Sequence, residues 1–213
     1  MATKWIENGD SKVVFRCSDS KKNIFLIGDS IRQGYCATVA EELSDISEVF
    51  YSNGNCKNTQ NVITSMKAWA SAFDRPDRVD IVQFNCGHWD VAHWNGYECS
   101  LTSEDEYEKN IRMIIYLLRQ YFCNAKIVFA TTTPMNPNGV VGVNPRYNAE
   151  IDRYNEIAVG VAEREGVAIN DLNTVAKSFG SDAYADYCHF TREKFAFLGG
   201  EVAKALRSLI IEA

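Results

Sequence analysis

The sequence is short of several things. Histidine occurs three times, proline four times and methionine four times in 213 residues. Basic residues are outnumbered: 22 Lys and Arg stand against 28 Asp and Glu, for a net charge of −6. No basic stripe with interleaved aromatics occurs, so no nucleic-acid partner is expected. No apolar run approaches the roughly 20 residues of a membrane span, so no membrane partner is expected. The first ten residues, MATKWIENGD, lack the apolar core of a signal peptide. That predicts a cytoplasmic protein. The seven cysteines include no Cys-x-x-Cys pair, and an odd number is awkward for a full disulfide set. Several, Cys123 among them, lie in apolar contexts. Buried free thiols in a reducing cell are the expectation.

What is present fits one α/β domain over residues 1–213, with 1–22 as a polar N-terminal extension. The hydrophobic fraction is 46% and the charged fraction 23%, both ordinary for a globular chain. Short apolar runs and helical periods alternate about five times. Strands are predicted at 24–28, 47–51, 79–84, 127–130 and 167–169, and 13–15 reads as an extra edge strand. Helices are predicted at about 31–44, 59–73, 103–122, 147–165, 171–178 and 191–211. Ser103 with Glu106 makes a capping box for the third of these. Gly199-Gly200 inside the last helix permits close packing or a kink. The alternation implies a five-stranded parallel sheet with helices on both faces, a three-layer sandwich. Ligands of such sheets bind outside the carboxyl ends of the strands. The segment after 130 carries three of the four prolines in a long loop, and long loops in compact domains are often functional.

Ser30 stands where the apolar run Ile24 to Ile27 turns through Gly28-Asp29 into a helical period. A hydroxyl there suits a nucleophile at the positive end of a helix dipole, and it equally suits a helix cap. A serine nucleophile needs an imidazole to take its proton, and the imidazole needs a carboxylate. Only His88, His93 and His189 are available. His189 alone has an aspartate three residues before it, Asp186. Ser30, His189 and Asp186 are therefore the candidate nucleophile, base and orienter. His88, His93 and Asp90 do not form a recognised zinc spacing, so no metal site is expected.

Ile27-Gly28-Asp29-Ser30 and Asp186-x-x-His189 resemble the first and last motif blocks of the SGNH (GDSL-type) hydrolases, a family of serine esterases and acyl hydrolases. The resemblance spans about 23–211. It implies a flavodoxin-like fold and a serine nucleophile, with no metal or organic cofactor. It also implies an oxyanion hole made by the serine amide, a glycine amide and an asparagine side chain. Ser30 supplies the first. Gly54 is the only glycine in the loop after the second strand, although Lys57 is an alternative for the matching position. The third block departs from Gly-x-Asn-Asp: it reads Gly87-His88-Trp89-Asp90. Asn85 from the strand end, or the Trp89 indole, is left to replace the missing amide. Trp89 and Arg32 are the candidate substrate-binding residues. A structural ion pair of Arg32 with Asp90 or another acid is the alternative.

Related branches of that family include carbohydrate O-acetyl esterases. The implied function is removal of a small acyl group, acetyl, from a small-molecule or oligosaccharide ester. A lipase or thioesterase for longer acyl chains stays open. So does a carbohydrate-binding module whose catalysis has decayed.

Overall fold

Fully apolar runs form the centre of the sheet, because strands covered on both faces need apolar residues at every position. In the computed structural model, which describes residues 5–6 (backbone only), 15–139 and 142–211, Ile24 to Ile27 are all essentially inaccessible to solvent. The strands are β1 (Trp5–Ile6), β2 (Lys22–Ile27), β3 (Ser47–Ser52), β4 (Ile81–Phe84), β5 (Lys126–Ala130) and β6 (Ala168–Asn170). The helices are α1 (Ser30–Glu42), α2 (Thr59–Ser71), α3 (Glu104–Tyr121), α4 (Asn148–Arg164), α5 (Leu172–Lys177) and α6 (Arg192–Ile211). All pairings are parallel, in the order β1-β3-β2-β4-β5-β6.

Successive residues of β2 face opposite layers. Ile24 and Leu26 pack with Ile31, Tyr35 and Val39 of α1 and with Leu198 and Val202 of α6. Phe25 and Ile27 pack with Val62 and Met66 of α2, Ile111 and Ile115 of α3, and Ile151 and Ala158 of α4. These are the two outer layers. The five predicted strands are present, flanked by a short sixth strand at the edge. That edge strand is Trp5–Ile6, pairing with β3, rather than 13–15. Residues 13 and 14 lie outside the described residues. Phe15 makes an isolated bridge with Phe73 and is fully buried among Phe25, Phe50 and Phe73, with ring centroids 4.9–6.5 Å apart. Part of the expected extension thus closes one end of the core.

The strand order reverses at β2. The chain leaves β2 for β3 on one side and returns to β4 on the other. A reversal opens a crevice at the carboxyl edge, with the loops after β2 and β4 beside each other. Ile27 is in register with Phe84, so Gly28-Asp29-Ser30 and Asn85-Cys86-Gly87 leave the sheet side by side.

Candidate active site

Ser30 is the first residue of α1, and Asp29 caps it: Asp29 Oδ1 accepts from the Ile31 amide at 2.9 Å. Amides of a first helical turn have no helical acceptor, so the Ser30 N–H is available to an anion. Its side chain is half-buried. From the far end of the chain, 159 residues on, His189 Nε2 comes to 2.7 Å from Ser30 Oγ.

A tight loop presents that imidazole. The Ala185 amide donates to the His189 carbonyl at 2.8 Å, and the Thr191 amide to the Ala183 carbonyl at 2.8 Å. Asp186 organises its interior. Its Oδ1 accepts from the Cys188 and His189 amides at 2.8 and 2.7 Å, and its Oδ2 lies 2.7 Å from His189 Nδ1. Burial acts to raise the Asp186 pKa, but those amides and the His189 ring outweigh it and lower it. An ionised carboxylate only accepts hydrogen bonds, so Nδ1 carries the ring proton. Nε2 is then the acceptor for the Ser30 hydroxyl. Cys188 Sγ lies 3.6 Å from His189 Nδ1, and burial pushes its thiol up to about 12. It is a neutral neighbour.

The other sequence candidates are placed differently. The Gly54 amide donates to Ser52 Oγ at 3.1 Å, and its carbonyl accepts Arg32 Nη2 at 2.7 Å. The Gly54 N–H is thus given to a neighbouring hydroxyl rather than directed at Ser30. Lys57, the alternative, adopts φ +56°, a conformation that favours glycine, and donates its amide to Asn55 Oδ1 at 2.8 Å. Asn85 is buried against the corner. A Cβ on Gly28 would lie 1.9 Å from Asn85 Oδ1, so only glycine admits this side chain. Trp89 is half-buried and lies against Trp94 in a tilted pair, with ring centroids 5.5 Å apart and planes 32° from parallel.

Arg32 is not a substrate-binding residue. It is 1% exposed, and its guanidinium donates to the carbonyls of Ser52 (2.6 Å), Gly54 (2.7 Å) and Gly28 (3.1 Å). Nor does it pair with Asp90. That carboxylate takes the Thr59 amide and hydroxyl and the Thr102 hydroxyl, fixing the start of α2. Cys123 and Cys99 are exposed, unlike the expectation for Cys123. Cys17, Cys36, Cys56, Cys86 and Cys188 are buried, and all seven are free.

Two sets of contacts were not visible in the sequence. Arg146 donates through Nε to the His88 carbonyl and through Nη1 to Tyr187 Oη at 3.2 Å. His93 Nε2 lies 2.9 Å from Glu150 Oε2, and its Nδ1 lies 2.9 Å from the Tyr97 carbonyl, pinning the loop after β4 to α4. The proline-rich loop carries Arg146, and its length was the only signal. The bond from His93 to Glu150 spans 57 residues and had none. Among the described residues no helix is long and apolar enough to cross a membrane.

Residues 26–193 match the sequence profile of the GDSL-like Lipase/Acylhydrolase family. No curated protein matches the sequence. Solved structures share the fold. An acetyl xylan esterase, AlAXEase, is 18% identical, with 86% of this chain and 98% of that chain covered and a TM-score of 0.68. The lipase/acylhydrolase from Enterococcus faecalis is 16% identical, with 88% and 96% covered and a TM-score of 0.69. Axe2, an acetylxylan esterase from Geobacillus stearothermophilus, is 19% identical, with 87% and 94% covered and a TM-score of 0.66.

Proposed function

Because the chain belongs to the GDSL-like lipase/acylhydrolase family, we propose that Ser30, His189 and Asp186 carry out its ester hydrolysis and that the group removed is acetyl, from a carbohydrate ester. The observation that carries the assignment of roles is the run of two 2.7 Å contacts from Ser30 Oγ through His189 to Asp186. Ser30 Oγ attacks the ester carbonyl as His189 Nε2 takes its proton. The tetrahedral oxyanion collapses, and the sugar hydroxyl leaves with the proton from Nε2. Water then attacks the acetyl-serine, gives its proton to Nε2, and acetate leaves as Ser30 recovers the proton. Asp186 keeps the ring in the tautomer that makes Nε2 the base.

The oxyanion falls to the Ser30 amide and, in this proposal, the Asn85 side chain. Loss of one such donor costs about 3–4 kcal/mol of barrier. The acetyl-carbohydrate part draws on two supports. Two of the similar structures are acetyl xylan esterases. Trp89 and the 38% exposed Trp94 offer flat aromatic surface, to which the apolar face of a sugar ring is suited.

Purified protein is expected to hydrolyse 4-nitrophenyl acetate, with Ser30→Ala losing at least about a thousandfold in kcat. Equal rates for the two proteins would remove Ser30 from its role. A series from acetate to octanoate tests the acyl group: kcat/KM should fall with chain length, and a maximum at octanoate would assign a lipase or thioesterase instead.

A further inference from the structure

Buried polar atoms without partners concentrate in the residues that flank Ser30 and in the neighbouring loop after β4. Among the described residues five such side-chain atoms occur, and four of them belong to one corner: Asp29 Oδ2, Arg32 Nε, Asn85 Oδ1 and His88 Nδ1. The residues that carry them belong to the loops after β2 and β4 and the first turn of α1, and the register sends those two loops out side by side. Asn85 Oδ1 and Arg32 Cβ lie 1.9 and 2.7 Å from the point where a Gly28 Cβ would stand. Each unpaired buried group costs about 1–3 kcal/mol, so four in one place call for a shared explanation.

Donor and acceptor character supplies it. Asp29 Oδ2 and Asn85 Oδ1 accept, and Arg32 Nε donates. His88 decides the balance by its tautomer. Its Nε2 lies 3.2 Å from Thr133 Oγ1, a hydroxyl able to donate or accept. With the proton on Nδ1, Thr133 donates to Nε2 and the corner holds two donors and two acceptors. With the proton on Nε2, three acceptors face one donor. The ring is 4% exposed, and burial lowers its pKa to about 4, with the Asp29 carboxylate acting in the opposite sense. At neutral pH it carries one proton and lies within the field of that carboxylate.

We propose that His88 is a positioning residue for Ser30: its Nδ1–H is linked to Asp29 Oδ2 across one water, and so steadies the carboxylate that caps the helix beginning at Ser30. This rests on Ser30 being the nucleophile. The link has a second arm. The His88 carbonyl accepts from Arg146 Nε, Arg146 Nη1 reaches Tyr187 Oη, and the Tyr187 ring stands edge-on to His189 at 6.4 Å. One residue of the third block thus ties the serine corner to the histidine loop. A misplacement of about 1 Å between reacting groups is worth about a hundredfold in rate.

The test uses steady-state kinetics on 4-nitrophenyl acetate with His88→Asn, His88→Gln and His88→Ala, alongside ¹⁵N NMR of the wild-type imidazoles. An Asn side chain places an amide N–H near the Nδ1 position, and Gln places one near Nε2. His88→Gln and His88→Ala should lose about 10–100-fold in kcat with KM within about twofold, and His88→Asn should stay within about threefold of wild type. NMR should find His88 as the neutral Nδ1–H tautomer. An Nε2–H tautomer overturns the proposal, as does His88→Gln equalling or exceeding His88→Asn. The NMR result decides even where a variant fails to fold. If Ser30→Ala keeps wild-type activity, the nucleophile assignment itself has failed. If Ser30→Ala is inactive while His88→Gln keeps full kcat, only the His88 link has.

Discussion

Arg32 holds a permanent charge at 1% exposure, and backbone carbonyls rather than a carboxylate surround its guanidinium. Its planar fork reaches Ser52 and Gly54 in the loop after β3 while also meeting Gly28. It therefore staples the nucleophile corner to its neighbouring loop. Lysine carries its donors on one nitrogen and cannot span these acceptors at once. Arg32→Lys should lose about 2–4 kcal/mol of stability, read as a lower melting temperature. A substrate anchor would instead raise KM and leave the melt unchanged. The residue's position two places after Ser30 made it look like a wall of the site. Its partners lie 20 and 22 residues away across a strand, and one-dimensional spacing does not carry that contact. Asp186 and His189 differ because an aspartate accepting amides two and three residues on is a local turn. Such a turn is legible in sequence. The glycine amide expected at the oxyanion hole is not, since what Gly54 donates to is decided by how its loop folds.

At the scale of elements, the site depends on how closely α6 lies against α1, because α6 follows the His189 loop and α1 begins at Ser30. Gly199 sets that approach. A Cβ there would meet Thr38 Cβ at 2.6 Å and the Tyr35 carbonyl oxygen at 3.1 Å. Gly200, its neighbour in the same helix, faces open space. Gly199→Ala should destabilise by about 1–3 kcal/mol, since the helices must part. Gly200→Ala should stabilise by about 0.5–1 kcal/mol through helix propensity. Chemical denaturation of the two variants checks both signs. If both glycines behaved alike, the close approach would not be the reason for the pair. The sequence made the helix and its glycine pair visible, through periodicity, but not which glycine touches α1. Strand and helix existence was legible throughout because each apolar run or stripe reports its own burial. The edge strand was not, as a two-residue strand has too few side chains to show a period.

Across the whole molecule, two buried groups give opposite pH dependence in one window. Burial raises the Asp90 pKa to about 6, against the Thr59 and Thr102 hydrogen bonds that lower it. A carboxyl with a raised folded pKa contributes stability that is full below its unfolded value, about 3.9, and is lost as pH rises through about 6. His88 runs the other way. Its folded pKa is depressed to about 4 from an unfolded value near 6.5. Its contribution is present above about 6.5 and is lost as pH falls through about 4. Each shift corresponds to about 3 kcal/mol at about 1.4 kcal/mol per pKa unit. On acidification from pH 7 to 5, Asp90 therefore strengthens the fold while His88 weakens it, and wild type shows only the difference. Asp90→Asn removes the gain and should make stability fall more steeply with acid. His88→Asn removes the loss and should flatten the fall. Carboxylates such as Asp186 and Asp171, whose pKa values are lowered, lose stability with acid in all three proteins and cancel in the comparison. Urea unfolding of the three proteins at pH 7, 6 and 5 measures the slopes. Any constant offset from the substitutions drops out of those slopes. Three parallel lines would mean that neither group is desolvated as its burial implies. Slopes diverging in the stated directions would tie the third block to the acid tolerance of the fold.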